Sequence, residues 1–342
     1  MPVSPGLVDL QVNGFGGVDF NDAAITAADL DRALEAMLKT GVAFCLPTLI
    51  TAHPHELQER FRALDAAVSQ SRLGPLMCPG YHLEGPFLNP APGYHGCHPP
   101  AAMTAAKLDL VSGLERDLTR PILMVTLAPE REGALALTKA LAEAGKIVAI
   151  GHSAADFEVV AAAADAGLGL STHLGNGLPQ SLHKLANPVF AQLAEDRLMA
   201  GFIADGIHLH PKALKALIRA KGFERSILVT DAVVAAAAPV GRYHFAGMAV
   251  DLTADGSVRQ GEGLLAGSAL CLDQAVRNLV AWGIATADDA LAMASRHPLA
   301  AIRPALDAHG ITLAEGAVEW SDGLFVERIR IGDAERRYER RP

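Results

Sequence analysis

The sequence predicts an α/β fold, a (β/α)8 TIM-type barrel with strands appended at its C-terminal end, and three observations carry the prediction. Eight short apolar runs recur along the 342 residues, at 7–12, 42–48, 78–84, 122–128, 147–151, 168–172, 199–204 and 226–230. Ala- and Leu-rich stretches of helical periodicity fill the gaps between them. Ionisable side chains gather where the runs stop. Strands covered by helices on both faces lose the alternation of a half-exposed strand, so unbroken apolar runs read as parallel strands. Eight strand–helix units in succession read as a closed barrel.

Taken in order, the helices carry recognisable ends. Residues 27–40 place apolar side chains at three- and four-residue steps and stop at Gly41, suited to the left-handed turn past a helix end. Residues 153–167 set Asp156 ahead of the apolar face and Gly167 behind it. Pro211 opens 211–221 in the first turn, where its missing N–H is no loss, and Gly222 follows. After Asp231 the texture changes, and 239–260, rich in Gly, Val and Asp-Gly signals, predicts a hairpin insertion. Helical periodicity resumes at 270–282 and 288–295. From Gly316 the chain alternates again and ends in a basic run, ERRYERRP. The expected division is a barrel over 1–305, then strands and a solvated basic tail over 306–342.

A chain that is 50% hydrophobic can bury a large core, and a formal net charge of −9 argues against nucleic acid as a partner. It says little about small molecules, because a pocket can carry the opposite local sign. Cys45, Cys78, Cys97 and Cys271 show no CxxC spacing and read as reduced thiols of a cytoplasmic protein. The start, MPVSPGLVDL, lacks the charged and apolar regions of a signal peptide. No apolar stretch reaches the roughly 18 residues that a membrane span requires.

Barrel enzymes place their chemistry at the C-terminal ends of the strands. Those ends here carry Gln11 and Asn13, Thr48, His82 and Glu84, Glu130, His152, His173, Asp205 with His208, and Asp231. Two imidazoles and a carboxylate with one open position form a catalytic metal set, and a cation so held activates water and polarises a carbonyl. A further carboxylate must then move the proton, and Asp231 is free for it. The alternative is a barrel whose strand-end histidines are structural, bonded to backbone carbonyls. His95, Cys97 and His98 lie together in PAPGYHGCHPP, which reads as a substrate-facing His95, a second metal site or an exposed loop. NGFGGVDFND is not a dinucleotide-binding glycine motif, and neither GHSAAD nor AGSAL is GxSxG. The run AERRYERR reads as a solvated terminus or as a reach toward an anion in a neighbouring subunit.

The stretches PGLVDLQVNGFGGVDFND, LPTLIT, HLEGPFLN, VTLAPE, GHS, THLGN, IADGIHLHP, VTDA and LAGSAL follow one another from residue 5 to residue 270. In that order they resemble the N-acetylglucosamine-6-phosphate deacetylases of the amidohydrolase superfamily. The resemblance implies that Glu84, His152 and His173 are metal ligands, that Asp231 is the general acid/base and that His208 polarises the acyl carbonyl. It implies sugar contacts from His95, ligand-holding backbone at Asn176 and Gly177, and a site position at Ser268. Where many amidohydrolases carry HxH for a second metal, this chain has Gln11 and Asn13, and amides are poor ligands for such a cation. One divalent ion per chain is therefore expected; zinc leads, and iron, manganese and cobalt also accept the set. The implied reaction is hydrolysis of N-acetylglucosamine 6-phosphate to glucosamine 6-phosphate and acetate, by a homodimer.

Three features depart from the pattern. Only four residues precede PGLVDL, which implies a reduced C-terminal β subdomain in place of the family's sandwich. The family offers an arginine to the substrate phosphate after strand six, whereas THLGNGLPQSLHKLANP offers only His183 and Lys184, and lysine is a point charge rather than a bidentate fork. The stretch after Asp231, AVVAAAAPVG, is unusually apolar. Hydrolysis of an unphosphorylated N-acyl amino sugar or another N-acyl amine is the nearest alternative, and a non-catalytic sugar-binding barrel is the alternative of another class.

Overall fold

Each of the eight apolar runs becomes a strand of one parallel sheet in the computed structural model, which describes residues 2–261 and 263–339. The barrel strands are β1 (Leu7–Val12), β2 (Val42–Ile50), β3 (Tyr81–Glu84), β4 (Ile122–Leu127), β5 (Ile147–Ile150), β6 (Leu168–Ser171), β7 (Met199–Phe202) and β8 (Ser226–Leu228). They pair in chain order, each parallel to the next. The third strand begins later than 78 because Pro79 has no N–H for a ladder and Gly80 completes the turn into it. Every residue of β1, β2, β3 and β4 is buried, which is why these runs show no alternation.

The ring closes between β1 and the residues just past β8. Asp231 N–H donates to Gln11 O at 2.9 Å and Asn13 N–H to Ala232 O at 2.7 Å. Below them the fully buried Asp9 accepts from the Thr230 hydroxyl at 2.6 Å and from the Thr230 and Gln11 N–H groups. Burial lifts the Asp9 carboxyl to about 7 against the pull of those hydrogen bonds. The folded value lies above the unfolded one of about 3.9, so the folded state favours the proton. That contribution is complete below about pH 4 and is lost as pH rises through about 7, a swing of up to about 4 kcal/mol. Asp9→Asn should fold and flatten this slope, measured by denaturant unfolding at about pH 5 and about pH 8; an unchanged slope would show that another group titrates.

Helices cover the barrel with the expected ends. Ala27–Leu38 starts on a Thr26–Asp29 capping box, and Phe157–Asp165 on Asp156, whose carboxylate accepts from Val159 N–H. The helix Arg296–Ala308 is an addition to the sequence reading: Pro298 sits in its first turn, Pro304 lies inside it, and the expected boundary at 305 falls within it.

The hairpin insertion is larger than expected. Gly241–Phe245, Met248–Leu252, Ser257–Gln260 and Leu264–Ser268 form an antiparallel meander. Its inner face packs Phe245, Val250, Val258 and Ala266 on Val233 and Val234, forming a second core. The apolar stretch after Asp231 is thus the floor of this sheet. The meander's last strand returns to the barrel, where Ser268 N–H donates to Asp231 O at 2.9 Å.

The C-terminal strands Gly316–Trp320, Val326–Ile331 and Ala334–Arg337 form a four-stranded sheet with Val3–Pro5, a strand that its shortness and its proline hide in the sequence. Trp320 is fully buried, donates Nε1–H to Ser4 Oγ at 2.9 Å and lies against Gly41, whose φ is +83°. The basic run is only partly free, because Arg336 pairs with Glu35 at 2.9 Å and Arg337 with Glu335 at 2.8 Å. Residues 340–342 of that run lie outside the described residues.

Candidate active site

The barrel register places the strand-end residues on one rim: Ile50 opposite Glu84, and Glu84 opposite Thr126. Glu84 ends β3, His152 and His173 follow β5 and β6 by two residues each, and Asp231 follows β8 by three. His152, His173 and Asp231 all hold positive φ, at 52°, 30° and 49°. For residues other than glycine such backbone costs about 1–3 kcal/mol and persists where surrounding structure enforces it, typically at functional sites.

Glu84 is the hub. Its Oε1 lies 3.0 Å from His173 Nε2 and 3.5 Å from His152 Nε2, and its Oε2 lies 3.1 Å from Gln11 Nε2 and 3.9 Å from His98 Nε2. Burial opposes its ionisation, but the surrounding imidazoles of His152, His173 and His98 outweigh that and hold the carboxyl well below its usual range. On His173, burial is outweighed in the other direction by Glu84, and the ring's proton affinity is raised.

The tautomers follow from the outer nitrogens. His152 Nδ1 lies 2.6 Å from Tyr94 O, and a carbonyl only accepts, so that nitrogen carries the hydrogen. With the hydrogen on Nδ1, the lone pair of Nε2 faces a carboxylate oxygen of Glu84. His98 repeats the arrangement with Nδ1 on Thr51 Oγ1 at 2.9 Å, while the Thr51 hydroxyl donates to Glu84 O at 3.3 Å. Burial, then His152, pushes the His98 ring down to about 3, so it is neutral. Lone pairs facing a carboxylate are satisfied by a cation between them, and imidazoles oriented by outer acceptors are the usual form of metal-ligating histidine. Ligand atoms of Glu84, His98 and His152 lie within 4.8 Å of one another. The residues present fit a divalent ion.

Asp231 stands beside this cluster. Its Oδ1 accepts from Asn13 Nδ2 at 2.8 Å and from Gln11 Nε2 at 3.1 Å. At the HxH positions Gln11 thus bridges the two carboxylates and Asn13 holds the second. Burial, then the charge of Glu84, lifts the Asp231 carboxyl to about 6. His208 Nδ1 lies 2.6 Å from Asp205 Oδ2, which leaves Nε2 for the cavity. Glu130 accepts from Ser153 Oγ and Ala154 N–H, each at 2.6 Å, and so pins the turn that presents His152.

A cavity of about 380 Å³ opens over these groups, with Asn13, Glu84, His152, His173, His208 and Asp231 on its wall. Asn176 and Gly177 line it as expected. Ser268 does not; its hydroxyl is committed to Thr230 O at 2.6 Å, and the adjacent Gly267 faces the cavity. His183 and Lys184 are exposed and lie outside it. His95 is half-buried and absent from the wall, while His98 and Cys97 are on it. The sequence put all three in one loop but could not tell which ring turns inward; the partner that turns His98, Thr51, sits just beyond β2. Arg259, on the hairpin sheet, is a charged wall residue the sequence reading missed.

Gly177 is held close to this apparatus. Its φ is +63°, and a Cβ there would lie 2.6 Å from His152 Nδ1. The ring cannot swing aside without losing Tyr94 O. Gly177→Ala should lower kcat/KM at least about tenfold by displacing His152, with the far-UV circular dichroism unchanged.

The amidohydrolase family model matches residues 3–304. The chain belongs to the amidohydrolase family. It is 35% identical over 339 residues to an N-acetylgalactosamine-6-phosphate deacetylase of Escherichia coli O157:H7, covering 96% of this chain and 85% of that one. It is 31% identical over 278 residues to an N-acetylglucosamine-6-phosphate deacetylase of Bacillus subtilis, covering 80% and 69%. Among solved structures, an N-acetyl-D-glucosamine-6-phosphate deacetylase variant from Mycobacterium smegmatis, in complex with N-acetyl-D-glucosamine-6-phosphate, superposes with a TM-score of 0.84 at 30% identity, covering 96% of this chain and 85% of that one. The chain is thus a hydrolase of a metal-dependent family, and no helix among its described residues is long and apolar enough to cross a membrane.

Proposed function

We propose that this amidohydrolase hydrolyses the N-acetyl amide of N-acetylglucosamine 6-phosphate, giving glucosamine 6-phosphate and acetate. The observation that carries the reading is Asp231, a half-buried carboxylate on the cavity wall whose Oδ1 is pinned by two amides beside the Glu84–histidine cluster. Glu84, His152 and His173 would hold one cation, zinc first among the candidates, with His98 facing the same carboxylate from its loop. When bound, the ion supplies Lewis acidity toward the acyl carbonyl and toward water. The amides of Gln11 and Asn13 support the count of one, since they occupy the carboxylate oxygens that a second ion would need.

The chain's own groups account for the proton. Asp231, ionised at neutral pH yet with its carboxyl lifted to about 6, takes a proton from the attacking water on Oδ2. The water oxygen bonds to the acyl carbon, and His208, oriented by Asp205, presents Nε2 to the carbonyl oxygen as charge builds there. Asp231 then returns its proton to the sugar nitrogen as the C–N bond breaks. Asn176 and Gly177 shape the cavity wall that holds the sugar. The resemblance supports a cytoplasmic homodimer.

A second reading, the galactosamine epimer as substrate, rests on the 35% identity to N-acetylgalactosamine-6-phosphate deacetylases of Escherichia coli O157:H7 and a Shewanella strain. Acetate release from both N-acetyl hexosamine 6-phosphates and their unphosphorylated forms, alongside elemental analysis for one ion per chain, tests both readings. No acetate from any of the four would end the deacetylase assignment.

A further inference from the structure

Besides its imidazoles, the cavity wall carries one cationic side chain among the described residues, Arg259. It stands in the hairpin-sheet strand Ser257–Gln260, opposite Leu265 on the next strand. Gly263, Leu264, Leu265 and Gly267 continue the same wall. Arg259 donates Nε–H to Ser257 Oγ at 3.0 Å and an Nη1–H to Gly263 O at 3.3 Å. Those bonds use two of the five guanidinium N–H groups and set its plane, and neither goes to a carboxylate. The neighbouring Asp255 is held down to about 2 chiefly by Thr253 and Ser257, with Arg259 contributing least. A buttressed arginine on a cavity wall is built for a ligand anion.

We propose that Arg259 is the residue that binds the substrate's phosphate, an inference that rests on the amino-sugar phosphate reading above. It answers a chemical need. The relatives named above act on 6-phosphates, while the β6 loop of this chain contributes no arginine and its His183 and Lys184 lie outside the cavity. The spacing agrees. From Leu265, opposite Arg259, the strand runs two residues, about 7 Å, to Gly267, which abuts Asp231: a Cβ at 267 would lie 3.0 Å from Asp231 O. A hexosamine separates its C2 acetamide from its C6 phosphate by a comparable distance, so with the amide at Asp231 the hairpin-sheet wall is within reach of the phosphate. The planar fork of arginine suits a phosphate dianion better than a lysine would.

The test compares wild type, Arg259→Gln and Arg259→Lys as metal-loaded enzymes. Arg259→Gln should raise KM for the phosphorylated sugar about 30-fold or more, with kcat nearly unchanged, because a charged hydrogen-bond pair is lost far from the reacting carbon. Turnover of the unphosphorylated sugar should not change, Arg259→Lys should recover part of the loss, and inorganic phosphate should bind Arg259→Gln at least about tenfold more weakly by calorimetry. An Arg259→Gln enzyme that deacetylates with wild-type KM and binds phosphate equally overturns the assignment while leaving the deacetylase reading intact. Should the wild type release no acetate at all, that reading falls, and phosphate calorimetry still decides Arg259: weakened binding in the variant upholds the anion site, and equal binding overturns it.

Discussion

Asp231→Asn is expected to retain its metal and its fold and to lose turnover by about a thousandfold or more. The substitution preserves shape: an Asn oxygen at the same place still accepts from Gln11 and Asn13, which donate at 3.1 Å and 2.8 Å in the wild type. The group facing the cavity becomes an amide that cannot take a proton from water or return one to nitrogen. Removing the negative charge beside Glu84 also relieves the repulsion that helps lift Asp231 to about 6, so folding stability should hold or rise. Steady-state acetate release and elemental analysis on the same preparation separate the effects. A variant with a tenth of wild-type turnover would show that another group moves the proton.

Glu84→Gln should act on the other half of the centre, lowering metal affinity by more than about 100-fold and abolishing turnover in metal-depleted buffer. The carboxylate is 2% exposed and faces three imidazoles at 3.0, 3.5 and 3.9 Å. An amide of the same size supplies one neutral oxygen where the anion stood and turns N–H groups toward rings that present hydrogens or lone pairs of their own. Loss of the buried anion leaves His173, whose proton affinity it raises, without its charged partner, at a cost of roughly 3–5 kcal/mol. Metal titration followed by a competing chelator reads the affinity, and thermal unfolding reads the stability. Wild-type metal content in Glu84→Gln would place the ion elsewhere.

Most of the scaffold was legible in the sequence because burial on both faces writes itself as an unbroken apolar run. The exceptions have physical causes. Val3–Pro5 is three residues long with a proline in it, and its partner lies at the far end of the chain. The helix from Arg296 contains two prolines, normally read as breaks. Within the site, Glu84, His152, His173 and Asp231 were readable because strand ends in a barrel necessarily share a rim. His98 and Arg259 were not, since whether a loop ring or a hairpin side chain reaches the cavity is decided by packing that spacing does not encode: Thr51 orients one, Ser257 and Gly263 the other. The expected contacts from Lys184, His183 and His95 miss the cavity for the same reason.

Residues 3–5 are bound, through Gly6 N–H on Gly316 O and Trp320 N–H on Pro2 O, to a segment that a ribosome emits only after every barrel strand. The indole of Trp320, seated on Gly41, then covers the lower mouth of the ring where β2 begins. Pairing of Val3–Pro5 therefore waits for a segment made after the barrel strands.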